Sequence, residues 1–298
     1  MDGFEVRELR YFVAVAEELS FSRAAARLGI AQPPLSRAVK QLERRLGADL
    51  FQRDTHKVTL TDLGRSLLED ARDALDVMSA VSERARRQAQ AHPGLAVTAK
   101  PGAATEMLRR IVGVFTALPD VPAVEVKVSG YRQQAAMVRD GRADVALVGS
   151  PLDRWRLEFE VLKVESRVAA LPAGHRLAER ERLSCADLHG EPMPRCAQGS
   201  PAHRAYLQGR DILPEEDECV PGPVVNDPEQ LLEVVGFGQA VALVPAWLAG
   251  RNPRPDVVYR PVIDASPYVT AIAWRQGARS TAIAQFVRTA TDLYNTAH

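Results

Sequence analysis

The chain has 298 residues, 46% hydrophobic, 26% charged and 6% aromatic, enough for about two cored domains at roughly 150 residues each. No apolar run approaches the roughly 18 residues of a membrane span, and the mix excludes disordered, collagenous and membrane classes. The 38 basic and 38 acidic side chains cancel, but unevenly: between Arg23 and Arg65 nine Lys/Arg meet four Asp/Glu, whereas residues 93–298 sum to −1.

Leu9, Phe12, Val13, Ala16 and Leu19 recur at helical spacing and predict a first amphipathic helix. Ser20-Phe21-Ser22 interrupts it, with Ser22 as the expected N-cap of a short second helix, Arg23 to Leu28, which Gly29 ends. Pro33 and Pro34 suit the first turn of a third helix, where a missing N–H does no harm. Leu35, Val39, Leu42 and Leu46 carry that helix to Gly47. Two short helices split by a Gly-containing turn on a three-helix core form a helix-turn-helix. Leu50 to Arg53 and Val58 to Leu60, joined through Asp54-Thr55-His56-Lys57, read as a hairpin, a wing beside the helices.

A basic stretch is equally the solvated face of an ordinary bundle, but here helices, turn, wing and charge coincide. Gln32, Arg37 and Gln41 have the donors and acceptors that pair bidentately with adenine or guanine edges. Ser36, Lys40 and the helix N-terminus at Pro33 suit phosphate oxygens, which fix register. Ser22 and Arg23 at the start of the second helix, and Arg53, His56 and Lys57 on the wing, complete the candidate DNA contacts.

The runs Leu9-Arg10-Tyr11-Phe12-Val13-Ala14-Val15-Ala16-Glu17, Ser20-Phe21-Ser22-Arg23-Ala24-Ala25, Gln32-Pro33-Pro34-Leu35-Ser36-Arg37 and Leu42-Glu43-Arg44-Arg45-Leu46-Gly47 closely resemble the N-terminus of LysR-type transcriptional regulators. Leu50-Phe51-Gln52-Arg53 and Val58-Thr59-Leu60-Thr61-Asp62-Leu63-Gly64 extend the match over about 60 residues. The resemblance implies an all-α winged helix-turn-helix at 1–62, a linker helix at 63–92 and an α/β effector-binding region at 93–298. That last region would resemble two-lobed periplasmic solute-binding proteins, lobe I being about 93–164 and 267–298 and lobe II about 165–266.

Thr61 is a natural N-cap for the linker helix, and Leu68, Ala71, Leu75, Met78, Ser82 and Ala85 step by threes and fours as a coiled-coil seam does. The same pattern suits a helix packed on its own domain. The family resemblance implies pairing of two subunits, hence a homodimer through this helix and a homotetramer beyond it. Two recognition helices about one DNA turn apart, roughly 34 Å, would then read an interrupted palindromic operator. His92-Pro93-Gly94 ends the helix.

Beyond it, strands are predicted at Leu95–Ala99, Val124–Val128, Ala143–Val148, Arg167–Leu171, Val224–Val225, Ala240–Val244 and Tyr268–Trp274. Helices alternate with them at 103–115, 133–140, 203–208, 228–237 and 281–293, a pattern that indicates a parallel α/β sheet. Asp140-Gly141-Arg142-Ala143-Asp144-Val145 and Gly236-Phe237-Gly238 through Pro245 match the family's effector region, with lobe crossings near Leu162–Arg167 and Ala265–Tyr268. Ligands in such lobes sit beyond the carboxyl ends of strands. This selects Lys100, Gly102, Thr105, Ser129, Tyr131, Gly149 and Ser150 on one side, and Gln198, Ser200, His203, Asn226 and Asp227 on the other. The family usually carries Ser or Thr where this chain has Lys100. A cation there favours an anionic small-molecule effector, unless it pairs with Asp227 or another acid.

An enzymatic or solute-binding α/β domain fused to a DNA-binding module is the rival. Gly236-Phe237-Gly238 lacks a third glycine and a βαβ setting, no G-x-S-x-G elbow occurs, and His92, His175, His189 and His203 lack metal spacing. Cys185, Cys196 and Cys219 form no C-x-x-C pair, and the N-terminus has no apolar signal segment. A non-enzymatic, cytoplasmic DNA-binding protein is therefore expected, with neither cofactor nor metal and no membrane partner.

Overall fold

The computed structural model describes residues 4–54, 57–89, 94–196, 201–211 and 220–295. It divides into an N-terminal unit and a C-terminal unit.

The N-terminal unit contains α1 (Val6–Glu18), α2 (Phe21–Leu28), α3 (Gln32–Leu46), the antiparallel hairpin β1 (Phe51–Asp54) and β2 (Lys57–Leu60), and α4 (Asp62–Gln88). The apolar positions at helical spacing converge: Phe12, Val15, Phe21, Ala24, Leu35, Val39, Leu42, Leu50 and Phe51 form one buried cluster. Phe12 and Phe21 meet the Phe51 ring with centroids 5.5 and 5.8 Å apart. The cap of α2 is not Ser22 but Ser20, whose extended backbone lets its hydroxyl accept from Arg23 N at 3.4 Å. Ser22 is thereby one turn-position into the helix and exposed. Thr61 caps α4, its hydroxyl accepting from Gly64 N at 3.0 Å. Gly64 has a steric duty as well, since a Cβ there would stand 2.2 Å from the Leu50 carbonyl oxygen.

The C-terminal unit contains two lobes. The first contains β3 (Leu95–Ala99), α5 (Ala103–Thr116), β4 (Val124–Val128), α6 (Gln134–Arg139), β5 (Val145–Gly149) and β6 (Leu157–Glu165). The chain then forms β7 (Arg167–Pro172), β8 (Met193–Cys196), α7 (Pro201–Leu207), β9 (Pro221–Val225), α8 (Pro228–Gly236), β10 (Ala242–Pro245), α9 (Ala246–Arg251) and β11 (Val257–Pro261) of the second lobe. It returns to the first with β12 (Tyr268–Arg275) and α10 (Thr281–Asn295).

The parallel sheet expected from alternating strands and helices is mixed instead. In the order β4-β3-β5-β12-β6, four strands share one direction and β12 alone is reversed, antiparallel to both β5 and β6. The reason is the excursion into the second lobe: β6 leaves the sheet and β12 re-enters it from the far side. The second lobe has an antiparallel β10-β7-β11 sheet and a parallel β8-β9 pair. The elements expected from the sequence do not include β8, β11 and α9, nor β6 of the first lobe, although Leu157-Glu158-Phe159-Glu160-Val161 alternates as a strand does. One core joins α5 and α10 to the first sheet, with Phe115 packed edge-on to Phe286 at 5.0 Å. No helix among the described residues is long and apolar enough to cross a membrane.

Candidate functional site

In the N-terminal unit the buried charges are satisfied. Glu8 pairs with Arg45, tying α1 to the end of α3. Glu43 accepts the N–H groups of Leu50 and Phe51 at 3.1 and 3.2 Å and so fixes the root of the wing on α3. Arg27 and Arg72 both reach Glu17, at 2.7 and 2.8 Å. Burial pushes that carboxyl up, but the hydrogen bonds from Arg72 and Arg27 outweigh it and hold it below the usual carboxylate range.

Arg23, Arg27, Arg45 and Arg65 of the basic stretch thus face Glu18, Glu17, Glu8 and Asp62. Arg37, Lys40 and Arg44 do not: all three are exposed on α3, and among the described residues no carboxylate pairs with them. Among the described side chains the unpaired positive charge of the segment therefore collects on one helix. Gln32, Pro33 and Gln41 are exposed on it too and Ser36 is half-buried, away from the core positions Leu35, Val39 and Leu42. Ser22 Oγ donates to Gln32 Oε1 at 3.4 Å, joining α2 to the start of α3. Arg53 and Lys57 lie on β1 and β2, paired in register with Val58 and Asp54. Their side chains, and His56 altogether, lie outside the described residues.

The seam of α4 splits in two. Ala71 is buried in the N-terminal core with Leu68 and Leu75 packed against it, whereas Met78, Ser82 and Ala85 are exposed together with Val81. The first half is used within the chain because α1 offers it an apolar partner. The second half has no such partner in the N-terminal unit.

In the C-terminal unit a cleft of about 760 Å³, solvent at its mouth included, opens between the lobes. Lys100, Tyr131 and Ser150 from the first lobe and Asn226 and Asp227 from the second line it, as strand-end reasoning selected. Others of that set lie outside its walls. The Ser129 hydroxyl accepts from Thr98 Oγ1 at 2.8 Å and Gln134 Nε2 at 2.7 Å, holding the loop after β4. The Thr105 hydroxyl donates to the Gly102 carbonyl at 2.8 Å. Gly102 passes under Trp247 with a φ of 102°, and a Cβ on Gly149 would fall 1.8 Å from the Tyr268 hydroxyl. Both glycines therefore make room for aromatic neighbours. His203 is buried on α7, and burial, aided by the Arg132 charge, pushes its pKa down to about 4. Gln198 and Ser200 lie outside the described residues.

Lys100 does not pair with Asp227. Its Nζ donates to the Tyr268 hydroxyl at 3.1 Å and stands 5.1 and 5.5 Å from the ring centres of Tyr131 and Tyr268. Burial pushes its amine below the ordinary lysine value, with Tyr131 acting weakly in the other direction. Asp227 is engaged elsewhere, its Oδ1 accepting from Gln230 N at 2.7 Å as the cap of α8.

Sequence reasoning missed the residues that gather at the lobe crossings. Arg167 opens β7 almost fully buried, donating from Nε to the Ser266 carbonyl and from Nη1 to the Tyr206 carbonyl, each at 2.6 Å. Tyr206 donates to the Pro267 carbonyl at 3.0 Å. Arg167, Tyr206 and Tyr268 all line the cleft, so its walls hold the crossing segment 266–268 directly. An arginine opening an otherwise apolar strand at a lobe crossing was the available signal.

Residues 6–65 match the family described as bacterial regulatory helix-turn-helix protein, lysR family, and residues 88–294 match the LysR substrate binding domain. The chain is 30% identical over 292 residues to the Hca operon transcriptional activator HcaR of Escherichia coli, covering 95% of this chain and 96% of that one. It is 31% identical to the HTH-type transcriptional regulator ShiR of Corynebacterium glutamicum over 97% and 99% of the two chains. The crystal structure of full-length BenM superposes with a TM-score of 0.55 at 26% identity, over 98% of this chain and 97% of that one.

Proposed function

The chain belongs to the LysR family of bacterial helix-turn-helix regulators, and from that premise we propose that α3 is its recognition helix and the lobe cleft its effector site. It is a DNA-binding transcriptional regulator with an effector-binding domain, and its relatives are transcriptional regulators. We assign residues 1–62 to DNA binding, 63–92 to the linker helix and 93–298 to effector binding.

One observation carries the DNA reading: among the described side chains, the unpaired cations of the basic segment gather on the outer face of α3. Arg37, Gln41 and Gln32 read base edges in the major groove, while Ser36 and Lys40, helped by Ser22 and Arg23, hold phosphates. Arg53, His56 and Lys57 extend the wing to the flanking backbone or minor groove. The exposed half of the α4 seam, Met78, Val81, Ser82 and Ala85, pairs with a second copy. The dimer so formed reads two half-sites of an interrupted palindrome, and pairs of dimers build a tetramer. Work on DNA places the protein in the cytoplasm.

The effector acts by population shift. A ligand touching both lobes favours one arrangement of them, and a differential affinity of about 1–3 kcal/mol is enough to change the DNA-bound form. Because Lys100 is, among the described residues, the cation without a carboxylate in the cleft, the ligand is anionic.

Selection of bound fragments from sheared genomic DNA supplies the operator for the test. In gel-shift titration, Arg37→Ala loses about 1–3 kcal/mol of specific binding, roughly 5- to 150-fold, while low-salt non-specific binding persists. Unchanged specific binding by Arg37→Ala sinks the assignment of α3.

A further inference from the structure

Among the described residues the cleft walls hold three charged side chains, and their partners leave one cation over. Asp227 is committed to the backbone of α8 through Gln230 N. Arg167 stands 3.6 Å from Asp211 and has two carbonyls besides, although its Nη2 has no hydrogen-bond acceptor among the described residues. Lys100 meets only phenol groups: the Tyr268 hydroxyl and the faces of Tyr131 and Tyr268. Beside Asn226 and Asp227, the second lobe contributes an apolar stretch of wall with Pro194, Val225, Leu231, Trp247 and Leu248.

We propose that this cleft takes a small monocarboxylate with an apolar body, its carboxylate against Lys100 Nζ and its body against Leu231, Trp247 and Leu248. The proposal rests on the reading of the cleft as the effector site and names the class of molecule it takes. Charge matching selects a monoanion: Arg167 already has Asp211, Asp227 repels a second negative charge, and Lys100 compensates one. A phosphate is disfavoured by the helix end that faces the cleft. The N-terminus of α8 has Asp227 as its cap and Pro228 in its first turn, so one of the N–H groups that usually receive phosphate is missing, that of Gln230 is occupied, and a carboxylate stands beside them. An uncharged or cationic ligand would leave a desolvated Lys100 still without a counter-charge. Since Lys100 belongs to the first lobe and the apolar wall to the second, the carboxylate and the body of one molecule join the two lobes.

The test uses the full-length protein, with hexanoate and cyclohexanecarboxylate, their two amides and hexylamine as probes, read by titration calorimetry and thermal shift. Both acids bind wild type, and the amides bind roughly tenfold or more weaker, since they lose a charge-assisted hydrogen bond. Hexylamine does not bind. Lys100→Met brings the acids down to the level of the amides, Lys100→Arg keeps the acid preference, and Leu231→Trp, which fills the cleft, removes binding of every probe. Equal binding of acids and amides, acid binding undiminished in Lys100→Met, or no acid binding at millimolar concentration overturns the proposal. Charge-blind binding that Leu231→Trp abolishes removes the carboxylate class and leaves the cleft as effector site. Binding that Leu231→Trp leaves intact removes both.

Discussion

The N-terminal unit and the lobe cleft handle charge in opposite ways. Around α3 every buried acid has its donors, Glu8 from Arg45 and Glu43 from two backbone N–H groups, and the cations without carboxylates stand outside in solvent. In the cleft the unmatched cation, Lys100, is inside, against two phenol rings. An exposed ammonium or guanidinium keeps its hydration and costs the fold almost nothing, so Arg37, Lys40 and Arg44 can wait unpaired for a polyanion. A desolvated ammonium destabilises the empty site and is relieved by a partner. The reading surface is thus stable without its ligand, and the sensing surface is not.

Substitutions can break this contrast, beginning with the strongest. Glu43→Ala deprives two buried N–H groups of their acceptor and lowers the stability of the N-terminal unit by about 2–4 kcal/mol, measured by denaturant unfolding. Glu43→Gln, which keeps an acceptor oxygen, recovers most of it. A loss below about 0.5 kcal/mol in Glu43→Ala would show that the wing is held by packing alone.

At Lys100 the sign reverses. Burial lowers its pKa in the folded chain, so the unfolded chain holds that proton more tightly, and stability rises with pH towards the ordinary lysine value. Lys100→Met removes the penalty and stabilises the protein near neutrality by ~1 kcal/mol, about 2–4 °C in Tm for a unit of this size. A lower Tm for Lys100→Met would mean that Lys100 is a structural residue.

The smallest expected effect is on pH dependence. A bound carboxylate returns Lys100 towards its ordinary value, so acid binding takes up a proton wherever the empty cleft holds the amine neutral. Affinity for hexanoate therefore falls as pH rises from the lowered value of the empty cleft towards the ordinary lysine value, by up to about tenfold per pH unit, in a pH series of binding titrations. Burial pushes the Tyr131 and Tyr268 hydroxyls and the Cys196 thiol up, so these stay protonated at neutrality. The other charged groups nearby are Arg132, Arg167, Asp227 and Glu165. Affinity independent of pH would place the acid away from Lys100.

The N-terminal helices and wing were legible because each is written locally: apolar residues at helical spacing, Gly29 and Gly47 as ends, prolines in a first turn. The slip of the α2 cap from Ser22 to Ser20 came from two serines of equal chemistry two positions apart, which only backbone geometry separates. In the cleft, the rule that ligands sit beyond strand ends found Lys100, Tyr131, Ser150, Asn226 and Asp227. It also chose Ser129 and Thr105, whose hydroxyls are taken by Thr98 and Gln134 and by the Gly102 carbonyl. Arg167, Trp247 and Tyr268 come from distant segments that the two crossings bring together, and no local periodicity encodes that meeting. The heptad pattern of α4 was real, yet half of it serves the chain's own core, because periodicity marks an apolar stripe without naming its partner.

The two regions are joined by one quantity, the shift in DNA affinity produced by an acid in the cleft. Operator binding of wild type and Lys100→Met, measured by fluorescence anisotropy at one salt concentration with and without saturating hexanoate, reports it directly. Hexanoate changes the wild-type affinity by about 5–150-fold and leaves Lys100→Met unmoved. An equal shift in both proteins, or none in wild type that calorimetry shows to be loaded with the acid, would contradict a regulator switched through Lys100.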